Sequence, residues 1–114
     1  MDDNTKLYVL WTNDNPVTAE NMVFMYSINS MIHGWWEKVT IIVWGATATL
    51  ICNDTGIQSQ IRNALAKGVH IIACKACAEQ LKVSETLENL GVEVIYTGEL
   101  LTEIIKSKKA IITI

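Results

Sequence analysis

The chain has 114 residues, of which 50% are apolar and 18% are charged, and its formal net charge is -3. This length predicts a single domain, residues 1–114, with one hydrophobic core. Nine basic residues spread thinly over an acidic chain do not form the dense positive surface that binds nucleic acid or an anionic membrane, so neither partner is favoured.

The N-terminal stretch MDDNTKLYVLW begins with acidic residues, and its apolar run is too short for a signal peptide. The sequence also has no run of about 18 apolar residues, the length of a membrane-spanning helix. Cys52, Cys74 and Cys77 form an odd set without the spaced pairs of a disulfide framework, which is typical of a reducing compartment. We therefore expect a soluble, cytoplasmic protein whose thiols are free.

Five short runs rich in valine, isoleucine and aromatic residues predict β-strands. They cover residues 7–11, 39–44, 70–74, 92–96 and 110–114. Two of these runs, VTIIVW and AIITI, are almost continuously apolar instead of alternating between apolar and polar residues. This pattern indicates strands that are covered on both faces, as in a parallel sheet.

The segment between the first two strands, residues 18–33, is long enough for about four helical turns. Its apolar side chains fall on two sides of the helix. One side carries Met22, Met25 and Ile32, and the other carries Phe24, Ile28 and Met31. A helix with two apolar sides needs two packing partners, and the sheet supplies one. The second side either packs deeply within the monomer or forms a subunit interface that Trp35 and Trp36 continue.

A further helix follows the second strand. Thr55 and Gln58 have the spacing of a capping box, and Lys67 and Gly68 provide a stop signal. Between them, apolar residues repeat at helical spacing at Ile57, Ile61, Ala64 and Leu65. Shorter helices are predicted for residues 46–52, 76–82 and 84–90, and Leu100, Leu101, Ile104 and Ile105 form the apolar side of a last helix.

Strands that alternate with helices predict an α/β fold, a three-layer α/β/α sandwich around a parallel five-stranded sheet with a flavodoxin-like appearance. Ligands of such sheets bind beyond the carboxyl ends of the strands. The loops expected there are residues 12–16, the segment from Gly45 onward and the segment that contains Cys74 and Cys77. Trp11, Trp44 and Tyr96 lie near strand ends, where they either line a pocket or pack in the core.

The Cys74 and Cys77 pair, in the sequence HIIACKACAEQ, does not fit the common uses of a C-x-x-C motif. Tetrahedral zinc needs four ligands, and Cys52, His33 and His70 are not at a partner spacing. Covalent haem attachment needs histidine where Ala78 stands, and a thioredoxin-like motif follows an earlier strand. Phosphate-binding glycine motifs are absent. We therefore expect no metal and no cofactor.

A strand that ends at Cys74 and a helix that starts directly after it would place the sulfur at the positive end of that helix, where a thiolate is stabilised. Lys75 would add positive charge, and Cys77, near the end of the first turn, would serve as a resolving thiol or second carrier. The alternative is that both are inert, buried thiols, since free cysteine packs as a small apolar residue. We expect this inert role for Cys52, and packing or surface roles for His33 and His70.

The order of these elements resembles that of the DsrE/DsrF-like family. The resemblance covers nearly the whole chain and is carried by VTIIVWGATATLICND, GVHIIACKACAEQLKV and LGVEVIYTGELLTEIIKSKKAIITI. It implies that Cys74 is the sulfur-accepting cysteine and that Cys77 matches a second cysteine of some members. Lys82 replaces a glycine that often closes the following short helix in this family.

The resemblance further implies a persulfide carrier or sulfurtransferase subunit that assembles as a homotrimer or homohexamer and exchanges sulfur with donor and acceptor proteins. Two other functions remain open. One is a non-catalytic oligomeric binding module in which the Asn13–Asp14 loop, Gly45 and the end of the third strand hold a small molecule, while the cysteines are structural. The other is a redox sensor that forms a Cys74–Cys77 disulfide.

Overall fold

The structure, a computed structural model, describes residues 5–114. Residues 1–4, which belong to the stretch considered above as a signal peptide, lie outside the described residues. The described part contains a five-stranded parallel sheet in the order β4-β3-β2-β1-β5. The strands are β1 (Lys6–Trp11), β2 (Lys38–Val43), β3 (His70–Cys74), β4 (Glu93–Ile95) and β5 (Ala110–Thr113). All five predicted strands are confirmed, and each end lies within one residue of its predicted position.

Helical segments connect the strands. They are α1 (Pro16–Thr18), a π-helical segment (Ala19–Phe24), α2 (Met25–His33), α3 (Thr47–Asn53), α4 (Thr55–Ala66), α5 (Lys75–Gln80), α6 (Ser84–Asn89) and α7 (Gly98–Lys106). The single helix predicted for residues 18–33 is therefore interrupted by a π-helical segment. Such segments have few sequence signals, because they differ from α-helix by one hydrogen-bond register.

The handedness of parallel crossovers explains how the helices divide between the two faces of the sheet. From β1 to β4 the chain steps across the sheet in one direction, so right-handed crossovers place the connecting helices on the same face. From β4 to β5 the chain returns past the other strands, which places α7 on the opposite face. The result is the predicted three-layer α/β/α sandwich with a flavodoxin-like arrangement.

The two faces of the sheet bury apolar groups of different size. The larger core contains Val9, Ile41, Ile61 and Ile71, each at most 1% exposed, and lies beneath the helical segments that connect β1 to β4. The smaller core consists of Ile42, Ile72 and Ile104, with half-buried residues around it, and lies beneath α7. Burying one such side chain contributes about 1.5–3 kcal/mol to folding. The larger core therefore supplies most of the hydrophobic stabilisation.

The two apolar sides predicted for the helix after β1 are confirmed. Phe24 and Ile28 are buried against the sheet, whereas Met22, Met25 and Ile32 are 39%, 52% and 55% exposed. This exposed side continues into Trp35, which is 57% exposed, and Trp36, which is half-buried. The hydroxyl of Tyr26 accepts a hydrogen bond of 3.0 Å from Trp36 Nε1. We call the surface formed by Met22, Met25, Ile32 and Trp35 the α2 apolar surface.

The predicted capping box of α4 is wrong. The N-terminal cap is Asp54, one residue earlier, whose carboxylate accepts a hydrogen bond of 3.0 Å from the Ile57 amide. Gln58 instead donates through Nε2 to the Ile51 carbonyl oxygen, at 2.9 Å. Both aspartate and threonine are favoured caps, so their order in the sequence did not decide between them. The predicted stop is confirmed, because α4 ends at Ala66 and Gly68 has a φ of 94°.

Lys82 closes α5 in a left-handed conformation. Its φ is 60°, its amide donates to the Glu79 carbonyl, and the Val83 amide donates to the Ala78 carbonyl. These two bonds form a Schellman motif, in which glycine is favoured because a side chain at positive φ is strained. A glycine at this position, which is frequent in the DsrE/DsrF-like family, would adopt the same conformation without strain.

We predict that Lys82→Gly raises the free energy of unfolding by about 0.5–1 kcal/mol, because it removes the left-handed strain of an exposed side chain. Lys67→Gly is the matched control, since Lys67 also follows a helix but has a φ of -88°. The control should lower the free energy of unfolding. Urea denaturation of both variants checks this, and equal destabilisation by the two substitutions would contradict it.

Candidate functional site at the end of β3

Cys74 occupies the point where the sheet opens. It is the last residue of β3 and pairs in register with Ile95 of the adjacent strand β4. The chain leaves β3 toward α5 on one face and leaves β4 toward α7 on the other. Neighbouring strands whose connections diverge in this way leave a crevice between them, which is where ligands bind in open α/β sheets.

The crevice contains an open cavity of about 580 Å³. We call it the Tyr96 cavity, and its lining consists of Trp44, Cys74, Ala76, Tyr96, Thr97, Gly98 and Glu99. Cys74 is only 6% exposed, so its sulfur meets solvent mainly through this opening. Of the three aromatic residues noted from the sequence, Trp44 and Tyr96 line the cavity. Trp11 is fully buried in the core, edge-on to Phe24 with ring centroids 5.3 Å apart.

The pKa of the Cys74 thiol is lowered from its ordinary value. Burial acts to raise this pKa, but hydrogen bonds that favour the ionised sulfur outweigh it. They come from the Thr97 hydroxyl, the Cys77 amide and thiol, and the Ala76 amide. Apart from its interaction with the Cys74 sulfur, Thr97 Oγ1 has no hydrogen-bond partner among the described residues, although the residue is 1% exposed. The hydroxyl can therefore donate to a Cys74 thiolate, which is a stronger hydrogen-bond acceptor than the neutral thiol.

The spacing of the two cysteines explains these backbone contacts. Cys74 is the N-terminal cap residue of α5, so Ala76 and Cys77 are the second and third helical residues. A cap side chain accepts hydrogen bonds from the amides of these two positions, and the third side chain reaches back toward the cap. The C-x-x-C spacing therefore matches that of a capping box, although the Cys74 thiol makes no side-chain capping hydrogen bond and the two amides act by favouring its ionised form.

Cys77 differs from Cys74 in its ionisation. The pKa of its thiol is raised, first by burial and then by its hydrogen bond with Cys74 and by repulsion from a Cys74 thiolate, although the Gly45 amide acts in the opposite direction. Cys77 lines a separate opening of about 350 Å³, which we call the Leu81 cavity. Its lining consists of Gly45, Ala46, Thr49, Cys77, Gln80 and Leu81.

The other candidate residues lie apart from this pair. Cys52, on α3, is half-buried, and burial raises the pKa of its thiol while Thr86 acts in the opposite direction. His33 stacks on Trp35 with ring centroids 5.2 Å apart. His70 is at the opposite end of β3 from Cys74, and its Nε2 atom is 3.0 Å from the Glu93 carboxylate.

Lys75 lies beside Tyr96, a residue of the Tyr96 cavity lining. Its Nζ atom is 5.1 Å from the centroid of the Tyr96 ring and 3.9 Å from the Glu79 carboxylate. Lys75 is not one of the groups that shift the pKa of Cys74. The predicted contribution of this lysine to the thiolate is therefore replaced by Thr97 and the α5 amides.

Asn13 and Asp14 do not line either of the two cavities that contain the cysteines. Asn13 serves a structural purpose: its carbonyl accepts a hydrogen bond of 3.0 Å from the buried Thr47 hydroxyl. Within residues 5–114, no three His, Cys, Asp or Glu side chains are placed to hold a metal ion. No helix in this range has the length and apolar character needed to cross a membrane.

Comparison with solved structures gives a homologue. BT1422 from Bacteroides thetaiotaomicron, a conserved protein of unknown function, is 44% identical, with a TM-score of 0.97 over 100% of this chain and 98% of its own. The chain belongs to the same protein family as BT1422. No protein-family model matches the sequence, and no curated protein matches it significantly.

Two more distant structures share the fold. MTH1491 from Methanobacterium thermoautotrophicum is 16% identical, with a TM-score of 0.71 over 96% of this chain and 98% of its own. YchN from E. coli is 14% identical, with the same TM-score over 96% and 99%. Both belong to the DsrE/YchN fold family. At these identities the likeness shows that the two proteins share the fold of this chain.

Sequence reasoning missed Thr97 and Glu99, which follow β4. They were overlooked because the predicted crevice was assembled from the loops after the first three strands, and the position of β4 beside β3 follows only from the strand order. The signal available in the sequence was a threonine directly before a predicted helix and directly after a strand. That is the usual place for a helix cap, but Thr97 makes no side-chain capping bond.

We predict that Thr97→Val raises the pKa of Cys74, because valine keeps the shape of threonine but cannot donate to the thiolate. Alkylation of Cys74 should then need a higher pH than in the wild type. Cys77 should react only at higher pH than Cys74 in the wild type. The measurement is the rate of iodoacetamide labelling of each cysteine between pH 5 and about pH 10, a range that spans the thiol values of folded proteins.

Thr86→Val is the matched control for this experiment. It removes a hydroxyl that interacts with Cys52, so it should alter the labelling of Cys52 and leave that of Cys74 unchanged. The Thr97→Val variant should fold at least as stably as the wild type at acidic pH, where Cys74 is a thiol, since it then removes a buried hydroxyl without a partner. Unchanged Cys74 labelling in this variant would contradict a role for Thr97.

Proposed function

We propose that the protein is a persulfide carrier or sulfurtransferase subunit of the DsrE/DsrF type, in which Cys74 accepts the sulfur. The Cys74 thiolate attacks the outer sulfur of a sulfane donor, and the sulfur–sulfur bond of the donor breaks. The donor leaves as a thiolate with the electron pair of that bond, and Cys74 holds the sulfur as Cys-S-SH. An acceptor thiolate then attacks this outer sulfur and restores the Cys74 thiolate.

The observation that carries the proposal is the position of Cys74 in the Tyr96 cavity beside the buried hydroxyl of Thr97, which has no other hydrogen-bond partner among the described residues. The reaction needs a thiolate near neutral pH and space for an added sulfur atom. The groups around Cys74 favour its ionised form, and a cavity of about 580 Å³ is within the range of small-molecule sites. The resemblance of the sequence to the DsrE/DsrF-like family supports the same role.

We also propose that the protein forms a homo-oligomer, a trimer or hexamer as the resemblance implies, through the α2 apolar surface. Met25, Ile32 and Trp35, which belong to this surface, are all more than half exposed. A contiguous apolar surface of this kind usually marks an interface. Sulfur donor and acceptor proteins would approach the carboxyl ends of the strands, where Cys74 and Cys77 lie.

For the carrier, we predict that the protein incubated with inorganic polysulfide gains the mass of one sulfur atom at Cys74. Cys74→Ser should abolish loading through the Tyr96 cavity, while Cys52→Ser, the matched control, should load as the wild type does. Mass spectrometry after alkylation of free thiols and persulfides makes the measurement. Loading that is equally fast in Cys74→Ser would contradict the proposal.

The same variant separates the carrier from a non-catalytic binding module. In a binding module, Cys74→Ser would retain assembly and no sulfur would be found on the wild type. In a redox sensor, mild oxidation alone would link Cys74 to Cys77, and the wild type would lose the mass of two hydrogen atoms without gaining sulfur. Either result would replace the proposed function.

For assembly, we predict that Trp35→Glu lowers the molar mass of the native particle in solution to that of a monomer, because it places a charge within the buried apolar contact. Ile105→Glu is the matched control: Ile105 is 58% exposed but lies on α7, on the other side of the sheet. Light scattering coupled to gel filtration measures both. Dissociation by Ile105→Glu alone would place the interface elsewhere.

A further inference from the structure

The two sulfur atoms of the C-x-x-C pair interact with each other, but each one lines a different cavity. Cys74 lines the Tyr96 cavity and Cys77 lines the Leu81 cavity, and the two cavities share no lining residue. The two side chains are close enough that each affects the ionisation of the other. A sulfur atom held on Cys74 would therefore lie within reach of Cys77, while a thiol that enters the Leu81 cavity would meet Cys77.

Resting on the proposed function, we propose that Cys77 is the delivering cysteine: sulfur is loaded on Cys74 from the Tyr96 cavity, moves to Cys77, and leaves through the Leu81 cavity to an acceptor thiol. The Cys77 thiolate attacks the outer sulfur of the Cys74 persulfide. The bond between this sulfur and Cys74 breaks, and its electron pair stays on Cys74, which takes up the proton that Cys77 lost. One sulfur–sulfur bond forms and one breaks, so the step needs no oxidant or reductant.

The environments of the two thiols favour this direction. A sulfur–sulfur bond breaks more readily when the departing thiol has a low pKa, and an attacking thiolate of higher pKa is the stronger nucleophile. The pKa of Cys74 is lowered and that of Cys77 is raised. Cys74 is thus the better departing group, and Cys77 is the better attacking group. Sulfur on Cys77 is also more accessible, because Cys74 is buried and Cys77 is half-buried.

The lining of the Leu81 cavity indicates the chemistry of the acceptor. Apart from Cys77, it consists of glycine, alanine, threonine, glutamine and leucine, none of which carries a charge. A charged group that entered this cavity would lose water without gaining an opposite charge. The acceptor that fits is a cysteine flanked by small or apolar, uncharged residues. In contrast, the Tyr96 cavity contains Glu99, and Lys75 lies over the ring of Tyr96.

The sequence allows the two sites to be measured separately. Lys75 lies between the cysteines, so trypsin cleaves there and leaves Cys74 and Cys77 on different peptides. The full-length protein is mixed with inorganic polysulfide, and samples are blocked with iodoacetamide at increasing times. Mass spectrometry of the peptides then gives the sulfur content of each cysteine. The expected result is sulfur on Cys74 first and on Cys77 later, at the expense of Cys74.

Two variants test the need for Cys77. In Cys77→Ser, and equally in Cys77→Ala should the serine variant fold poorly, Cys74 still becomes loaded but retains its sulfur. Transfer from this variant to a single-cysteine peptide with uncharged flanking residues should be about tenfold slower than in the wild type, since the delivering thiol is missing. The same peptide with glutamates beside its cysteine should accept sulfur more slowly than the uncharged one from the wild type.

The outcomes distinguish this proposal from the carrier function on which it rests. If Cys74 loads but Cys77 never carries sulfur, or if Cys77→Ser delivers as fast as the wild type, Cys77 is not the delivering cysteine and the carrier function stands. If sulfide is released while a Cys74–Cys77 disulfide forms, Cys77 is a resolving thiol and the proposal is overturned. If neither cysteine is loaded, the carrier function itself fails, and the proposal fails with it.

Discussion

The right-handedness of parallel crossovers determines where this protein can place a reactive group. Because β1 to β4 follow one another across the sheet, their connections share one face, and the return to β5 forces α7 to the other. The reversal occurs after β4, so the connections of β3 and β4 diverge. Cys74 ends β3 at that gap, and Thr97 follows β4 there. The cavity is therefore a consequence of strand order, and the side chains that end the strands determine its chemistry.

Within that gap, two opposing effects act on the Cys74 sulfur. Burial disfavours a negative charge, whereas donors from two chain segments favour it, and the donors prevail. The hydroxyl of Thr97 illustrates the cost of this arrangement. A buried hydroxyl without a partner costs about 1–3 kcal/mol. Because this hydroxyl gains an acceptor when Cys74 is ionised, it favours the thiolate over the thiol.

The sequence predicted the strands well because their β-branched and aromatic runs reflect burial on both faces of a parallel sheet. Features that depend on one residue or one hydrogen-bond register were less predictable. Asp54 caps α4 where Thr55 was expected, and the π-helical segment from Ala19 to Phe24 was not foreseen. Cys74 was found as a candidate because it ends a strand. Thr97 was missed because it is far from Cys74 in the chain, and only the pairing of β3 with β4 brings the two residues together.

The capping position of Cys74 also gives the C-x-x-C motif a physical meaning that differs from metal binding or disulfide exchange. A cap residue and the third residue of a helix face each other at the start of the helix, so this spacing brings Cys77 to Cys74 whatever residues lie between them. The following turn directs Cys77 toward the Gly45 amide and the Leu81 cavity. Cys77 therefore lies between a sulfur on one side and an opening on the other. A short helix of six residues is sufficient for this geometry, because the contacts are made within its first turn. The Schellman turn at Lys82 then ends the helix beside the same opening, and its left-handed strain is the local cost of ending α5 at that point.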